Sequence, residues 1–286
     1  MTLLARSYAY CERLARREAG NFYHAFRMLP RPQAQSMCAL YAFLRITDDI
    51  SDGPESPETK QVKLSQWRQR LEKALAGHYD HRLHAAFHHT VRAHSIPRAY
   101  FEAVIGGVET DLQPVAFLRF EDLYQYCYRV ASVVGLACIH IWGFSGGNDA
   151  KRYAESAGIG FQLTNILRDL AEDAGRGRIY LPLEDLDRFG YSPEQLRQGT
   201  RDDHFRALMR FEVERARGYY AASLPLAPLL PPPGRAVFQV MTMTYRSLLD
   251  AIQRRNYDVF SSRVRLSSLR KWRLVVQALP VRWGWT

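Results

Sequence analysis

The sequence predicts an all-α fold, a single-domain helical bundle around a central cavity, and three observations lead there. Apolar residues recur with helical spacing in almost every segment of the 286 residues. No run alternates apolar and polar residues as a half-buried strand would. Proline and glycine fall where helices start and stop, with no convincing linker between them, so residues 1-286 read as one domain.

Taken in order, Leu3 to Glu18 is an amphipathic run ending near Gly20, and Pro32 stands in the first turn of the next helix, which stops at the loop Gly53 to Pro57. Thr59 to Leu75 closes at Gly77. The helical run His81 to His94 follows, with His84 and His88 at metal-ligand spacing, and it reads as a solvated histidine-rich face. Pro97 opens a helix that includes Glu109 and Asp111. Phe120 to Trp142 reads as one long helix carrying Tyr124, Tyr126, Tyr128 and Arg129. Gly135 inside it permits a close backbone approach, at about 1 kcal/mol of helix propensity. A further helix reaches about Asp173 and ends in the flexible basic loop Gly175-Arg176-Gly177-Arg178. Ser192-Pro193-Glu194 starts another, Phe205 to Leu224 is helical, and Pro225 to Gly234 is a proline-rich connection. Val237 to Tyr257 and Ser267 to Leu279 complete the chain.

Composition narrows the function classes. Apolar residues make up 47% of the chain and mean hydropathy is -0.30, ordinary values for a globular protein. With no apolar stretch of membrane-spanning length and no leader pattern, a cytoplasmic protein is expected. Cys11, Cys38, Cys127 and Cys138 form no CxxC pair and read as core residues. The net charge is +10, and residues 246-286 hold nine Arg or Lys against Asp250 and Asp258. Such a run suits anionic lipid headgroups, so peripheral association with the inner face of a membrane is an expectation. No nucleic-acid-binding motif accompanies the charge, and neither a nucleic-acid nor a protein partner is expected.

The chemistry is concentrated in two helical stripes. Gln162, Asn165, Asp169 and Asp173 lie three or four residues apart, hence on one face of a helix whose other sides carry Ile159, Phe161, Leu163, Ile166, Leu167 and Leu170. Tyr41, Arg45, Asp48 and Asp52 repeat the design among Ala42, Phe43, Leu44, Ile46 and Ile50. Carboxylates on a helix apolar nearly all round are expected to face an interior cavity, and there they need a cation. Oxygen ligands of this kind suit Mg2+, held by one or two carboxylates with positions left for phosphate oxygens. That makes Asp48, Asp52, Asn165, Asp169 and Asp173 the candidate metal ligands. Asp49 and Glu172 point off the stripes and are expected to matter less. Arg178 and its neighbour Arg176 suit bidentate closure over a diphosphate.

The blocks YAFLRITDDISD (41-52) and NILRDLAEDAGRGRIYLP (165-182) resemble the two aspartate motifs of the squalene and phytoene synthase family. NFYHAFRMLP, VETDL, YCYRVASVVG and YDVFSSRVRLSSLRK extend the resemblance over most of the chain. It implies the class I isoprenoid (terpenoid) synthase fold and a prenyltransferase that joins two prenyl diphosphates head to head with Mg2+. It also implies diphosphate contact for Arg45, Arg168 and Arg178, supporting places for Tyr41, Gln162 and Tyr180, and a carbocation-facing role for Tyr128. Of the family's outcomes, squalene or hydroxysqualene from two farnesyl diphosphates, on the way to triterpenes and hopanoids, is the preferred expectation here. NADPH enters only if squalene is the final product. Phytoene or dehydrosqualene is the alternative, and a non-catalytic assembly factor of the same fold is the alternative of another class.

Overall fold

A computed structural model describes residues 2-284; residues 1, 285 and 286 of the expected domain lie outside it. The described residues form fourteen α-helices, a π turn and a 3-10 turn, with no strand among them and one isolated bridge between Ala116 and Ile179. The helices are α1 (Leu3–Glu18), α2 (Asn21–Phe26), α3 (Arg31–Asp52), α4 (Pro57–Leu75), α5 (His84–Ala93), α6 (Arg98–Thr110), α7 (Phe120–Cys127), α8 (Val133–Trp142), α9 (Gly147–Gly175), α10 (Leu183–Arg188), α11 (Pro193–Gln198), α12 (Asp203–Ser223), α13 (Pro232–Arg254) and α14 (Ser268–Arg282).

Two helices organise the rest. α3 starts with proline in its first turn and is buried along Met37, Ala39, Leu40 and Phe43, where Phe43 stacks on Phe87 at 4.6 Å and on Trp67 at 5.6 Å. α9 runs for 29 residues and belongs to both apolar clusters of the core. Its Ala150, Ala154 and Ala157 pack in the first, and Ile159, Leu163, Ile166, Leu167 and Leu170 in the second. A helix shared by two clusters makes them one core, which is why the described chain folds as a single domain.

The expected long helix over 120-142 is interrupted. Tyr128–Ser132 is a π turn, closed by the Val133 N–H donating to the Tyr128 carbonyl. Two glycines make room for it. A Cβ on Gly158 of α9 would stand 2.4 Å from Ser132 Cα, and one on Gly107 of α6 would stand 2.6 Å from Val130 Cγ1. The extra residue of a π turn rotates the helix that follows, and Val130, Ala131 and Val134 are thereby turned toward the interior chamber described below. Gly135 accepts a close neighbour, as expected, since its Cβ would meet the Ala154 carbonyl at 3.2 Å.

Two further expectations change. The histidine segment is not a solvated face throughout: His84 is buried against Trp67 and His81, and burial pushes its pKa down to about 4. The basic loop after α9 is a hydrogen-bonded turn rather than a loose one, because the N–H groups of Arg176 and Arg178 donate to the Asp173 carbonyl and that of Gly177 to the Ala174 carbonyl. The four cysteines are free and buried, and among the described residues no helix is long and apolar enough to cross a membrane.

Candidate active site

α3 and α9 each present one face that changes character within a turn. On α3 the face runs Met37, Leu40, Tyr41 and Leu44, then Asp48, Ser51 and Asp52; on α9 it runs Ala154, Ala157, Phe161 and Asn165, then Asp169 and Asp173. The apolar halves line a chamber of about 230 Å³, closed by residues that include Phe22 and Phe26 from α2, Trp142 from α8, and Phe238, Met241 and Tyr245 from α13. The acidic halves line a separate cavity of about 250 Å³. Both acidic ends are C-terminal helix ends, so the two macrodipoles add negative potential there.

The acidic cavity gathers Asp48, Asp52, Asp111, Asp169, Glu172 and Asp173 with Arg176, Arg178 and Arg263. Six carboxylates against three guanidiniums leave a formal excess of three negative charges. The cavity is open-mouthed, with Asp48 and Asp52 solvent-exposed, rather than the closed interior expected of the stripe. Burial of its surroundings and the neighbouring Asp52 push Asp48 up to about 7. Asp48 is reached by water through the mouth of the cavity. Burial and Asp169 push Asp173 likewise up to about 7. Asp169 goes the other way: burial alone would raise it, but pairing with Arg168 and Arg263 holds it below the usual carboxylate range.

Among the described residues no three His, Cys, Asp or Glu side chains converge tightly enough to enclose one ion. The donor set still fits Mg2+. It is all oxygen, its carboxylates exceed its guanidiniums by three, and an anion such as diphosphate could enter this cavity only with added cations. The carboxylates face one another across the space, so each ion would take one or two of them and draw its remaining ligands from substrate and water.

Several expected site residues are placed differently. Arg45 lines neither cavity; its Nη2 sits 2.7 Å from Asp49 Oδ1, and its Nε is buried without a partner. Arg168 grips Asp169, with its Nε donating to Oδ1 at 2.8 Å. Gln162 and Asn165 belong to the apolar chamber, where Asn165 donates to Gln162 Oε1 at 3.3 Å, so Asn165 stands one turn short of the acidic cavity. Tyr41 lines the chamber as well. Tyr180 lines neither cavity, and its hydroxyl donates to Asp111 Oδ1 at 2.7 Å. Tyr128 also lines neither, packing partly buried in the π turn between the two core clusters. Glu172, expected to point away, lines the acidic cavity.

Asp111 and Arg263 complete the cavity and were not among the expected site residues. Tyr126 donates to Asp111 Oδ2 at 2.9 Å while Tyr180 takes Oδ1, and the two rings stack at 5.1 Å. Arg178 Nη2 donates to the Asp111 carbonyl at 2.8 Å. Burial raises the Asp111 pKa, with Tyr180, Arg178 and Tyr126 pulling against it. Arg263 reaches in from the segment after α13. The acidic VETDL and basic SSRVR segments were the only sequence signals for these two.

A family model described as squalene/phytoene synthase matches residues 15–270 of the chain. A 15-cis-phytoene synthase of Synechococcus elongatus is 37% identical over 279 residues, covering 94% of this chain and 91% of that protein. A phytoene synthase of Mycobacterium tuberculosis is 36% identical over 282 residues, covering 98% and 92%. Among solved structures, a dehydrosqualene synthase in complex with ligand superposes with a TM-score of 0.88 at 30% identity, covering 96% of each chain. A squalene synthase from Alicyclobacillus acidocaldarius superposes with a TM-score of 0.83 at 26% identity, covering 88% of this chain and 94% of the other.

Proposed function

The chain belongs to the squalene/phytoene synthase family, a family of prenyltransferases that condense prenyl diphosphates head to head and share the isoprenoid synthase fold, and from that premise we propose that it joins two geranylgeranyl diphosphates to phytoene. The sequence alone favoured squalene; the curated relatives weigh for phytoene, since those at 31 to 37% identity carry that name. Phytoene formation has no need of NADPH.

One observation carries the reading: on both α3 and α9 the same face passes from apolar to acidic within a turn. A prenyl diphosphate has that polarity, a hydrocarbon tail ending in a concentrated anion. Along α9, Ala154 lies fifteen residues before Asp169, about 22 Å at helical rise, so an extended tail fits alongside the helix.

Bound Mg2+ would neutralise charge developing on the departing pyrophosphate. Asp48, Asp52, Asp169 and Asp173 would hold it, with Asn165 one turn deeper. Arg176 and Arg178 stand at the cavity wall to take diphosphate oxygens, and Arg263 beside them would do so only by leaving Asp169. Arg45 and Arg168 would join only by leaving Asp49 and Asp169. Tyr126 and Tyr180 orient Asp111. Phe161 and Tyr245 line the chamber with their ring centroids 4.6 Å apart, and aromatic rings there would stabilise an allylic cation and exclude water; Tyr128 would serve from behind the wall. Contact with a membrane surface through the basic C-terminal run belongs to the same proposal.

The likeness to the dehydrosqualene synthase keeps a second reading, in which two farnesyl diphosphates are the substrates. Product analysis by gas chromatography and mass spectrometry separates them, using purified protein, Mg2+ and either prenyl diphosphate, with and without NADPH. Phytoene from the longer substrate is expected, and Asp48→Asn and Asp169→Asn should yield none. Squalene or dehydrosqualene as the main product moves the chain to the second reading, and no product from either substrate supports the non-catalytic alternative.

A further inference from the structure

A third cavity, of about 460 Å³, opens where α1, α2, α3 and the end of α14 meet, and none of the chemistry described above uses it. The turn from α2 to α3 builds it. Met28 and Leu29 are buried there, with their N–H groups donating to the Ala25 and Phe26 carbonyls. Arg27 and Arg31, on either side of that pair, stay at the surface and line the cavity. Arg282 joins them from the last turn of α14, which packs on α2. None of the three guanidiniums has an ion pair or a hydrogen bond among the described residues, and Arg282 keeps just a ring contact with Trp283 at 5.8 Å. Other arginines of the fold do find acids on distant helices, as Arg68 finds Glu109 and Arg217 finds Asp250. The one carboxylate of this lining is Glu12, and its Oε1 already accepts from the Tyr23 hydroxyl at 3.3 Å. Three guanidiniums against one carboxylate leave a formal excess of two positive charges, opposite in sign to the acidic cavity.

We propose that this cavity binds a diphosphate group without metal, with Arg27, Arg31 and Arg282 donating to its oxygens. Guanidinium forks match phosphate oxygens in pairs, and a space walled by three of them suits a ligand with several such oxygens. The volume lies within the range of small-molecule sites. Metal dependence is what separates the two anion sites: the acidic cavity needs cations before diphosphate enters, and this one already carries the required sign. Phe26 links the site to the chamber, because it lines both and its ring lies 6.5 Å from that of Tyr41, another chamber residue. An anion held by Arg27 fixes the end of α2 on which Phe26 stands, so diphosphate bound here acts on the chamber from outside the acidic cavity. Ionisation of a prenyl diphosphate releases the free anion. That supply rests on the proposed reaction, whereas the site itself stands on the cavity and its charge.

Titration calorimetry of the full chain with sodium pyrophosphate, in buffer stripped of divalent cations, tests it. Binding is expected, and added salt should weaken it. Arg27→Gln with Arg31→Gln should lose at least about tenfold in affinity, and Arg282→Gln should weaken it too. These variants should keep the wild-type melting temperature, since the side chains hold no acidic partner in the fold. Arg178→Gln, in the acidic cavity, should bind metal-free pyrophosphate as the wild type does. Farnesyl diphosphate distinguishes the two sources of the group: equal affinity assigns the free anion, and at least about tenfold tighter binding, lost in the double variant, assigns a substrate head group. In turnover assays the noncompetitive part of inhibition by pyrophosphate should vanish in the double variant, with kcat and KM unchanged. Absence of metal-free binding, undiminished binding by the double variant, or loss of binding in Arg178→Gln overturns the site. Noncompetitive inhibition equal in wild type and double variant overturns its action on the chamber. Calorimetry needs no turnover, so an inactive chain that still binds the anion would count against the proposed reaction and keep this site.

Discussion

Arg263 clamps Asp169 across 94 residues of sequence, Nε to Oδ1 and Nη2 to Oδ2, both at 2.8 Å. The geometry is the bidentate fork that a guanidinium makes with a carboxylate or a phosphate. Arg168 takes the same two oxygens from its own side, so Asp169 carries two guanidiniums, and a metal ion or a diphosphate in the cavity competes with them. Arg263→Ala should lower turnover by about tenfold or more, because Asp169 loses a partner and the cavity a donor. The Arg263 side chain is 44% exposed, so the melting temperature should fall by no more than about 4 °C. Steady-state turnover and thermal melting of the one variant check both halves.

The contribution of Asp48 and Asp173 to the stability of the metal-free protein should fall as pH rises from about 4 to about 7. Unfolded aspartates ionise near pH 4, whereas Asp48 and Asp173 in the fold keep their protons up to about 7. In that window these two groups bind more protons in the fold, so their contribution declines with pH and is constant above 7, while buried His84, neutral in the fold down to about 4, works in the opposite direction. Mg2+ should therefore raise the melting temperature more at pH 8 than at pH 5, and Asp48→Asn should remove the share of the decline that Asp48 contributes. Melting curves of wild type and Asp48→Asn, with and without Mg2+ across this range, test it; a metal-free difference between wild type and variant that stays level from pH 4 to 7 would contradict it.

Gly158→Ala should destabilise the fold although alanine is the better helix former. The added Cβ would stand 2.4 Å from Ser132 Cα and 2.6 Å from its nitrogen, both backbone atoms that move only if α9 and the π turn separate. A loss of about 3 kcal/mol is expected, overriding the roughly 1 kcal/mol of propensity gained. Denaturant unfolding measures it, and a variant as stable as wild type would show that the two segments separate freely.

Filling the chamber should shorten the tail it accepts. Ala157 lines it midway along α9, twelve residues before Asp169. Ala157→Phe should reduce kcat/KM for geranylgeranyl diphosphate by about tenfold more than for farnesyl diphosphate, a difference on the order of 1.4 kcal/mol. Competition between the two substrates reads this ratio directly.

The stripes Asp48 with Asp52 and Asp169 with Asp173 were legible because spacing of four along a helix puts side chains on one face wherever the helix packs. The same local rule showed the helices themselves, the free cysteines and the family motifs. Glu172 escaped it: one position off the stripe is still within reach of the cavity once Arg176 and Arg263 draw it in, at 2.9 and 3.7 Å.

Asp111, Arg263 and the π turn were decided by tertiary structure. Asp111 becomes a site residue because Tyr126 and Tyr180, 15 and 69 residues away, hold its two oxygens toward the cavity. The break at Tyr128 exists because Gly107 and Gly158 on two other helices admit it. Helical periodicity is a property of neighbours in sequence, so the sequence by itself determined the fold class and the acidic faces. Which arginine meets which carboxylate, and how long the apolar chamber runs, depend on contacts between helices far apart in the chain, and only their packing decides those.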